Sequence, residues 1–326
     1  MNPEEILKGI LEGDMRSLAK GITLIEGTTP DQKKKAQFLL ANCIKINKPS
    51  TRIGISGSPG VGKSTLIEIL GCKLIDSGFR VAVLAIDPSS QITGGSILGD
   101  RTRMERLSTE KNAFIRPSPS KTALGGVSPR TRETLQLCEA AGFDYTIVET
   151  VGVGQSETLV ASMTDIFLML QQPGAGDELQ GIKKGILELA DIIAITKWDG
   201  DSKQKAEIAQ SQHVNALQLV KSHEKWQVPV LLCSSTEKKG IQQIIDKVNL
   251  FISTNKKNNE FISKRRSQNS KWFKEELNHQ IMDKILSISG SEKSIKTALD
   301  QVIKQEIPAR TAVNEIIDDI FNIQLK

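Results

Sequence analysis

A nine-residue run rich in glycine carries the clearest chemical pattern in this sequence. It fits G-x-x-x-x-G-K-S/T, the pattern of a phosphate-binding loop. Small residues let the backbone curl around a polyphosphate, so that its N–H groups point inward as donors. The lysine can reach the β- and γ-phosphates, and the serine hydroxyl can ligate Mg²⁺. The run predicts a site for a nucleoside triphosphate or diphosphate, formed by Gly57, Ser58, Pro59, Gly60, Val61, Gly62, Lys63, Ser64 and Thr65.

Acidic residues follow two apolar runs that resemble buried strands. Asp87 comes directly after one run, and Glu149 ends another, with Gly152 three positions further on. A carboxylate at this edge of a sheet can hold a water on Mg²⁺, and the Gly152 amide can contact a γ-phosphate. Glu149 could also order the attacking water.

A long polar and Gly-rich stretch at 89–112 is a candidate nucleotide-sensing loop. Within it, Asp100 could reach the metal, and Arg101 and Arg103 could answer the charge of a γ-phosphate. The predicted metal ligands are Ser64, Asp87, Asp100 and Glu149. The predicted catalytic residues are Lys63, Glu149, Asp87 and Asp100.

A second pattern, Asn/Thr-Lys-x-Asp, indicates which base the site selects. GTPases carry it after a strand, and here it is Thr196, Lys197, Trp198 and Asp199. The carboxylate can accept from N1–H and N2–H₂ of guanine, whereas adenine offers no matching pair of donors. Thr196 lacks the carboxamide of the commoner asparagine, so one bracing contact could be weaker. A loop formed by Ser234, Ser235 and Thr236 could offer backbone N–H groups to the guanine carbonyl.

Seven short apolar runs alternate with helix-length segments, which predicts an α/β fold with a mostly parallel sheet covered by helices on both faces. Ligands of such sheets lie beyond the carboxyl ends of the strands. The runs are 53–56, 81–86, 113–116, 145–149, 166–170, 192–196 and 229–233. We predict a P-loop NTPase domain at 49–255, with helical extensions at 1–48 and 256–326. In the first extension, an apolar stripe from Ile6 to Leu18 predicts one helix, and Thr29 opens a second.

Composition excludes several other classes of protein. The 43 cations stand against 38 anions, a mixed surface that gives no reason to expect nucleic-acid binding. No apolar run reaches the roughly 20 residues of a membrane helix. The acidic N-terminal stretch resembles neither a secretory signal nor a transit peptide, so we expect a cytoplasmic protein. The widely spaced cysteines, Cys43, Cys72, Cys138 and Cys233, predict buried thiols rather than a metal site.

Four stretches together resemble the MeaB/ArgK family of P-loop GTPases: 54–65, 87–90, 149–157 and 173–186. The last of these carries no nucleotide pattern of its own, which makes its similarity informative. The resemblance is dense from about residue 52 to 240 and loose in the flanks. It implies a Mg²⁺-dependent GTPase that binds GTP and GDP and accompanies an adenosylcobalamin-dependent acyl-CoA mutase such as methylmalonyl-CoA mutase.

The same resemblance implies a chaperone that helps load the cofactor, protects the mutase or helps expel damaged cofactor. It also implies that 173–186 transmits the nucleotide state to the mutase and that 256–326 is a dimerisation arm, so the partners would be the mutase and a second copy of the chain. The sequence alone leaves intramolecular packing of that arm equally open. The sequence leaves two other functions as alternatives: a kinase serving amino-acid transport, and a nickel metallochaperone, which would need a His-rich or Cys/His tract.

Overall fold

Seven parallel strands form one sheet in the computed structural model. The structure describes residues 2–46, 48–87, 104–119, 129–150, 156–174, 188–220, 225–288 and 290–324. The strands lie in the order β3-β2-β4-β1-β5-β6-β7. They are β1 Thr51–Gly57, β2 Val81–Asp87, β3 Ala113–Pro119, β4 Tyr145–Thr150, β5 Ile166–Gln171, β6 Ile192–Ile195 and β7 Val230–Leu232. The predicted α/β fold with a parallel sheet is confirmed.

Helices connect the strands and extend the chain at both ends. Those of the first half are α1 Pro3–Leu11, α2 Met15–Ile25, α3 Pro30–Cys43, α4 Lys63–Asp76, α5 Pro129–Ala140 and α6 Ser156–Ala161. Those of the second half are α7 Lys203–Val220, α8 Ile241–Lys257, α9 Glu260–Leu286, α10 Ser291–Ile303 and α11 Ala309–Gln324. Short 3₁₀ turns lie at Leu107–Thr109 and Gly200–Ser202.

The central strands are apolar throughout because helices cover both faces of the sheet. Every residue of β4, β5 and β6 is buried. In β4, Ile147 packs in one hydrophobic cluster with residues of α4 and α8, and Val148 packs in the other with α1–α3 and α5. This alternation follows from the two-residue period of a strand. A third cluster joins β6 and β7 to α7.

Strand register aligns the carboxyl ends that the sequence marks as polar. Ile55 of β1 pairs with Glu149, and Ile86 of β2 pairs with Thr150. Asp87, the last residue of β2, therefore lies on the same edge as Glu149 and the end of β1 at Gly57. The structure describes the backbone of Asp87 and not its side chain.

The N-terminal segment contains one helix more than the sequence predicts. Its chain turns at Gly13, where φ is +81°, a conformation that side chains disfavour. Asp14 then caps α2 by accepting from the backbone N–H of Ser17 at 2.8 Å. The prediction of one continuous helical stripe to Leu18 was therefore wrong, because apolar spacing persisted across a turn. The second predicted start is correct: Thr29 and Gln32 form a capping box at α3.

The chain divides into two compact units, residues 1–265 and 266–326. The second unit contains the later part of α9 together with α10 and α11, two helices that pack on each other. Many of its large apolar side chains are exposed, including Phe273 and Ile303, each at 68%. The predicted boundaries at 48/49 and 255/256 stay predictions.

Candidate functional site

The phosphate loop joins the end of β1 to the start of α4. Gly60 and Gly62 have φ angles of +78° and +95°, and a Cβ at either would meet nothing within 4 Å. Backbone conformation, rather than crowding, therefore requires glycine at both positions. Gly57 differs, because a Cβ there would lie 2.6 Å from the Leu170 carbonyl oxygen. Gly62 caps α4 with no side-chain hydrogen bond. The N-terminal amides of this helix are therefore available to an anion.

Lys63 is the first residue of α4, and its ammonium group bends back onto the backbone of the phosphate loop. Its Nζ donates to the carbonyl oxygens of Gly57 at 2.7 Å and Ser58 at 3.1 Å. The side chain is buried, and burial lowers the pKa of Lys63, while the nearby charges of Glu149 and Glu157 oppose that shift. An incoming phosphate would exchange two neutral carbonyl acceptors for charged oxygens, which form stronger hydrogen bonds.

Two oxygen-bearing side chains that could bind a hard cation lie next to each other beside the loop. The Ser64 hydroxyl donates to Glu149 Oε1 at 3.2 Å, and Glu149 is buried at the end of β4. Next to it, the Thr150 hydroxyl donates to Ser56 Oγ at 2.8 Å, joining β4 to β1. A hydroxyl and a carboxylate are the ligand types that Mg²⁺ prefers. The described residues hold no cluster of three or more His, Cys, Asp or Glu that could bind a metal.

Several of the predicted site residues are not among the residues that the structure describes. Asp100 and Gly152 lie outside the described residues, as do Arg101, Arg103 and the run 175–187. The Ser64–Glu149 pair is thus the described part of the predicted metal site.

Thr196 ties the base-selecting segment to the phosphate loop. Its buried hydroxyl lies 2.8 Å from the Val61 carbonyl oxygen and 3.1 Å from that of Gln171. The hydroxyl has a single proton, so it donates to one carbonyl at a time or shares the proton between them. The sequence left open whether Thr196, which lacks the carboxamide of asparagine, could brace this loop. In the structure, the Thr196 hydroxyl makes a bracing contact with the Val61 carbonyl.

The next residue, Lys197, is exposed, and Trp198 after it is half-buried. Lys197 has a φ of +58°, a left-handed conformation that is uncommon for a lysine. Its Nζ donates to Gln172 Oε1 at 2.9 Å, just beyond the end of β5. The Trp198 indole N–H donates to Glu207 Oε1 at 3.1 Å, and the ammonium of Lys203 lies 5.6 Å from the ring centroid. These contacts hold Trp198 against α7.

Asp199 and the loop after β7 form one hydrogen-bonded group. The Trp198 N–H donates to the Cys233 carbonyl at 3.1 Å, which joins the two segments through their backbones. Asp199 Oδ2 accepts from the hydroxyls of Ser234 and Thr236, and these two bonds lower the pKa of Asp199. The loop closes at Gly240, whose φ is +76° and where a Cβ would meet the Leu232 carbonyl oxygen at 2.1 Å.

Sequence reasoning did not identify three residues near this site. Glu157, in the first turn of α6, is buried and affects Lys63 electrostatically, and its Oε2 has no hydrogen-bond partner among the residues that the structure describes. Gln171 ends β5 and contacts Thr196, and Gln172 follows the strand and contacts Lys197. A carboxylate just after a Gly-rich stretch was a usable signal for Glu157. The glutamines gave none, because their role depends on the pairing of β5 with β1 and β6.

A family model described as methylmalonyl Co-A mutase-associated GTPase MeaB matches residues 18–289. The chain belongs to this family. It is therefore a P-loop GTPase that binds guanine nucleotide and hydrolyses GTP to GDP and phosphate. This membership accounts for the glycine loop and the Thr-Lys-x-Asp segment that the structure connects through Thr196.

Individual relatives are similar over nearly the whole chain. A Caulobacter vibrioides protein named as a GTPase is 45% identical over 309 residues, covering 94% of both chains. GTPase ArgK of Escherichia coli is 40% identical over 317 residues, 97% of this chain and 96% of that one. The mitochondrial methylmalonic aciduria type A homolog of Mus musculus is 43% identical over 281 residues, 83% of this chain and 68% of that protein.

One solved structure shares the fold closely. A crystal structure described as LAO/AO transport system kinase superposes with a TM-score of 0.78 at 34% identity, covering 98% of this chain and 99% of that one.

Within the part of the chain that the structure describes, no helix has the length and apolarity needed to span a bilayer.

Proposed function

We propose that this GTPase serves as a nucleotide-gated chaperone of an adenosylcobalamin-dependent acyl-CoA mutase, most directly methylmalonyl-CoA mutase. The observation that carries the proposal is the family match over residues 18–289, whose description names that mutase. The mouse relative, named for methylmalonic aciduria, supports the same assignment. In this role, GTP binding and hydrolysis would gate cofactor loading and protect the enzyme.

The proposed nucleotide site has a phosphate end and a base end. At the phosphate end, the amides of 57–65 and the Lys63 ammonium bind the phosphates, and Gly152 contributes its amide. At the base end, Asp199 accepts from guanine, Thr196 braces the loop, and Lys197 packs its stem on the base. Trp198, Ser234, Ser235 and Thr236 complete that end. Positioning and charge stabilisation supply most of the catalysis of phosphoryl transfer.

Mg²⁺ fits the oxygen donors of this site. Bound there, it would screen charge between the β- and γ-phosphates. Ser64 and Glu149 are the proposed ligands that the structure brings within hydrogen-bond distance. Asp87 and Asp100 complete the proposed set. Glu149 Oε1 accepts the hydrogen bond of the Ser64 hydroxyl, and both oxygens keep lone pairs with which they could bind the metal. Glu149, Asp87, Asp100 and Lys63 are the proposed catalytic residues.

A binding experiment tests the mutase proposal. Purified methylmalonyl-CoA mutase is immobilised, and the GTPase is passed over it with a non-hydrolysable GTP analogue, with GDP, or with no nucleotide. We expect binding whose affinity depends on which nucleotide is present. Lys63→Ala is the matched control, because it should remove the nucleotide dependence without touching a mutase-facing surface. Binding to no state, or equal binding in all states, would contradict the proposal.

The exposed apolar side chains of the second unit support a proposed homodimer. Phe273, Leu277 and Ile281 follow helical spacing along α9, and each is at least 46% exposed. Phe273→Asp should shift the mass measured by light scattering from dimer to monomer. Lys271→Asp, a charge change in the same helix at an already polar position, should leave the mass unchanged.

A kinase function is the second candidate, because the structural relative is described as a transport system kinase. Incubation with γ-labelled GTP or ATP and a basic-amino-acid-binding protein distinguishes the two. Label on the binding protein would favour the kinase, whereas release of all label as inorganic phosphate would favour the GTPase chaperone. A nickel metallochaperone lacks support in the described residues, where all four cysteines are buried and separate.

A further inference from the structure

The carboxylate of Asp199 already has hydroxyl partners in the structure. Its Oδ2 accepts from Thr236 Oγ1 at 2.5 Å and from Ser234 Oγ. A carboxylate oxygen offers about two lone-pair sites, so these bonds fill the capacity of Oδ2. Among the described residues, Oδ1 has no hydrogen-bond partner.

Guanine presents two adjacent donors, N1–H and N2–H₂, that suit the two oxygens of one carboxylate. One donor can bind Oδ1 as it stands. The other needs a lone pair on Oδ2, where both sites are occupied. Two-point recognition of guanine therefore requires one of the two hydroxyls to leave.

The two hydroxyls differ in how firmly they are held. Ser234 has no exposed surface, and its oxygen also accepts the Glu237 backbone N–H at 3.0 Å. Its backbone is further fixed by reciprocal bonds with Lys239, each 3.0 Å long. Thr236 is exposed, so its hydroxyl can exchange Asp199 for water by a rotation about χ1. Thr236 is the group that must yield.

We propose that the Thr236 hydroxyl is a built-in competitor of guanine, a removable cap on Asp199 that lowers the affinity of this GTPase for guanine nucleotides. The inference rests on the proposed role of Asp199 in reading the base. With the cap in place only a fraction of free molecules can bind guanine at two points, and the apparent affinity is reduced by that fraction.

The competition predicts an unusual gain of affinity from removing a hydrogen-bonding group. Thr236→Val keeps the shape of the side chain and removes its hydroxyl. We expect the variant to bind GDP and GTP about three- to tenfold more tightly, the range of one ordinary net hydrogen bond, because the competing hydroxyl is exposed to water. Both nucleotides should change by the same factor, because the cap contacts only the base-reading residue. Thr236→Ser, which keeps the hydroxyl, should not show this gain of affinity for either nucleotide.

Inosine diphosphate provides a second measurement. Hypoxanthine carries N1–H and lacks the N2 amino group, so it can use Oδ1 alone and leave the cap in place. We therefore expect Thr236→Val to change IDP affinity much less than GDP affinity, which raises the GDP-to-IDP selectivity. Thermal unfolding should show the converse in the free state: the uncapped variant melts lower without nucleotide and gains more on adding GDP.

The outcomes separate the cap from the base-reading proposal itself. If the parent chain binds GDP and IDP equally well, Asp199 does not read the base at two points, and the proposed base recognition fails first. If the parent prefers GDP but Thr236→Val binds it equally or more weakly, the base recognition stands and the cap is refuted. A variant that gains equally for GDP and IDP also refutes the cap, since the effect would then not depend on the N2 donor.

Discussion

The two ends of the nucleotide site hold their charged side chains in different ways. At the phosphate end, Lys63 is buried and donates to two carbonyls of its own loop, so the cation is held within the pocket. At the base end, a carboxylate is held by one buried hydroxyl and one exposed hydroxyl. The phosphate end thus offers a strong, preorganised charge, whereas the base end offers a weaker group that must first be uncapped. The difference predicts that the phosphate end dominates affinity and rate, and that the base end adjusts selectivity.

Loss of the buried cation should have the largest effect. Lys63→Ala should reduce the rate of GTP hydrolysis by about 100- to 1,000-fold, the cost typical of one missing charge-stabilising donor. Single-turnover kinetics at saturating GTP measures the chemical step. Lys73→Ala, in the last turn of the same helix, is the control and should hydrolyse GTP at the parental rate. Parental activity in Lys63→Ala would show that the phosphate end is not organised around this lysine.

Changing the donor–acceptor pattern of the base end should redirect selectivity. Asp199→Asn replaces an acceptor oxygen with an amide donor, which leaves a guanine donor unpaired. We expect GTP affinity to fall by about 100-fold while XTP affinity rises, because the mismatch of one buried hydrogen bond reverses for xanthine. Competition against a fluorescent GDP analogue gives both values. Unchanged preference for GTP would mean that another residue reads the base.

The bond between the two ends can be tested separately. Thr196→Val removes the hydroxyl that contacts Val61 and Gln171 and leaves a buried carbonyl without its donor, a cost of about 1–3 kcal/mol. We expect a lower unfolding midpoint and weaker GDP binding. Thr196→Asn, the commoner residue of such GTPases, should restore part of both. If Val and Asn behave alike, the brace is not what aligns the ends.

Alkaline pH should affect the two ends unequally. Because burial lowers the pKa of Lys63 below its usual value of 10.5, the free protein loses this positive charge at a lower pH than an ordinary lysine would. GDP affinity should therefore fall as pH rises toward 10.5, starting before that value. The pKa of Asp199 is lowered, so its carboxylate stays ionised over this whole range. Guanosine, which lacks phosphates, is the control; its affinity should stay flat up to the pH at which N1 of the base ionises.

The fold could be predicted because each strand corresponds to a short apolar run in the sequence. Continuous apolar runs such as 145–149 and 166–170 can be buried only where helices cover both faces, and the structure buries every residue of those strands. The helix break at Gly13 escaped prediction, because Leu18 kept the apolar spacing on the far side of the turn. A left-handed glycine and an Asp cap were the local signals.

The amino-acid sequence by itself determined the parts of the site that depend on backbone freedom and on residue type. Glycines at 60 and 62 must accommodate positive φ, and a lysine and a carboxylate at fixed spacing identify phosphate and guanine chemistry. Tertiary structure alone decided which groups of other segments the residues at the base end contact. The contact of the Thr196 hydroxyl with the Val61 carbonyl and that of the Thr236 hydroxyl with Asp199 are set by how β1, β6 and β7 align. Hydrogen bonds depend on distances of a few tenths of an ångström between segments far apart in the chain, and residue spacing carries no such distances.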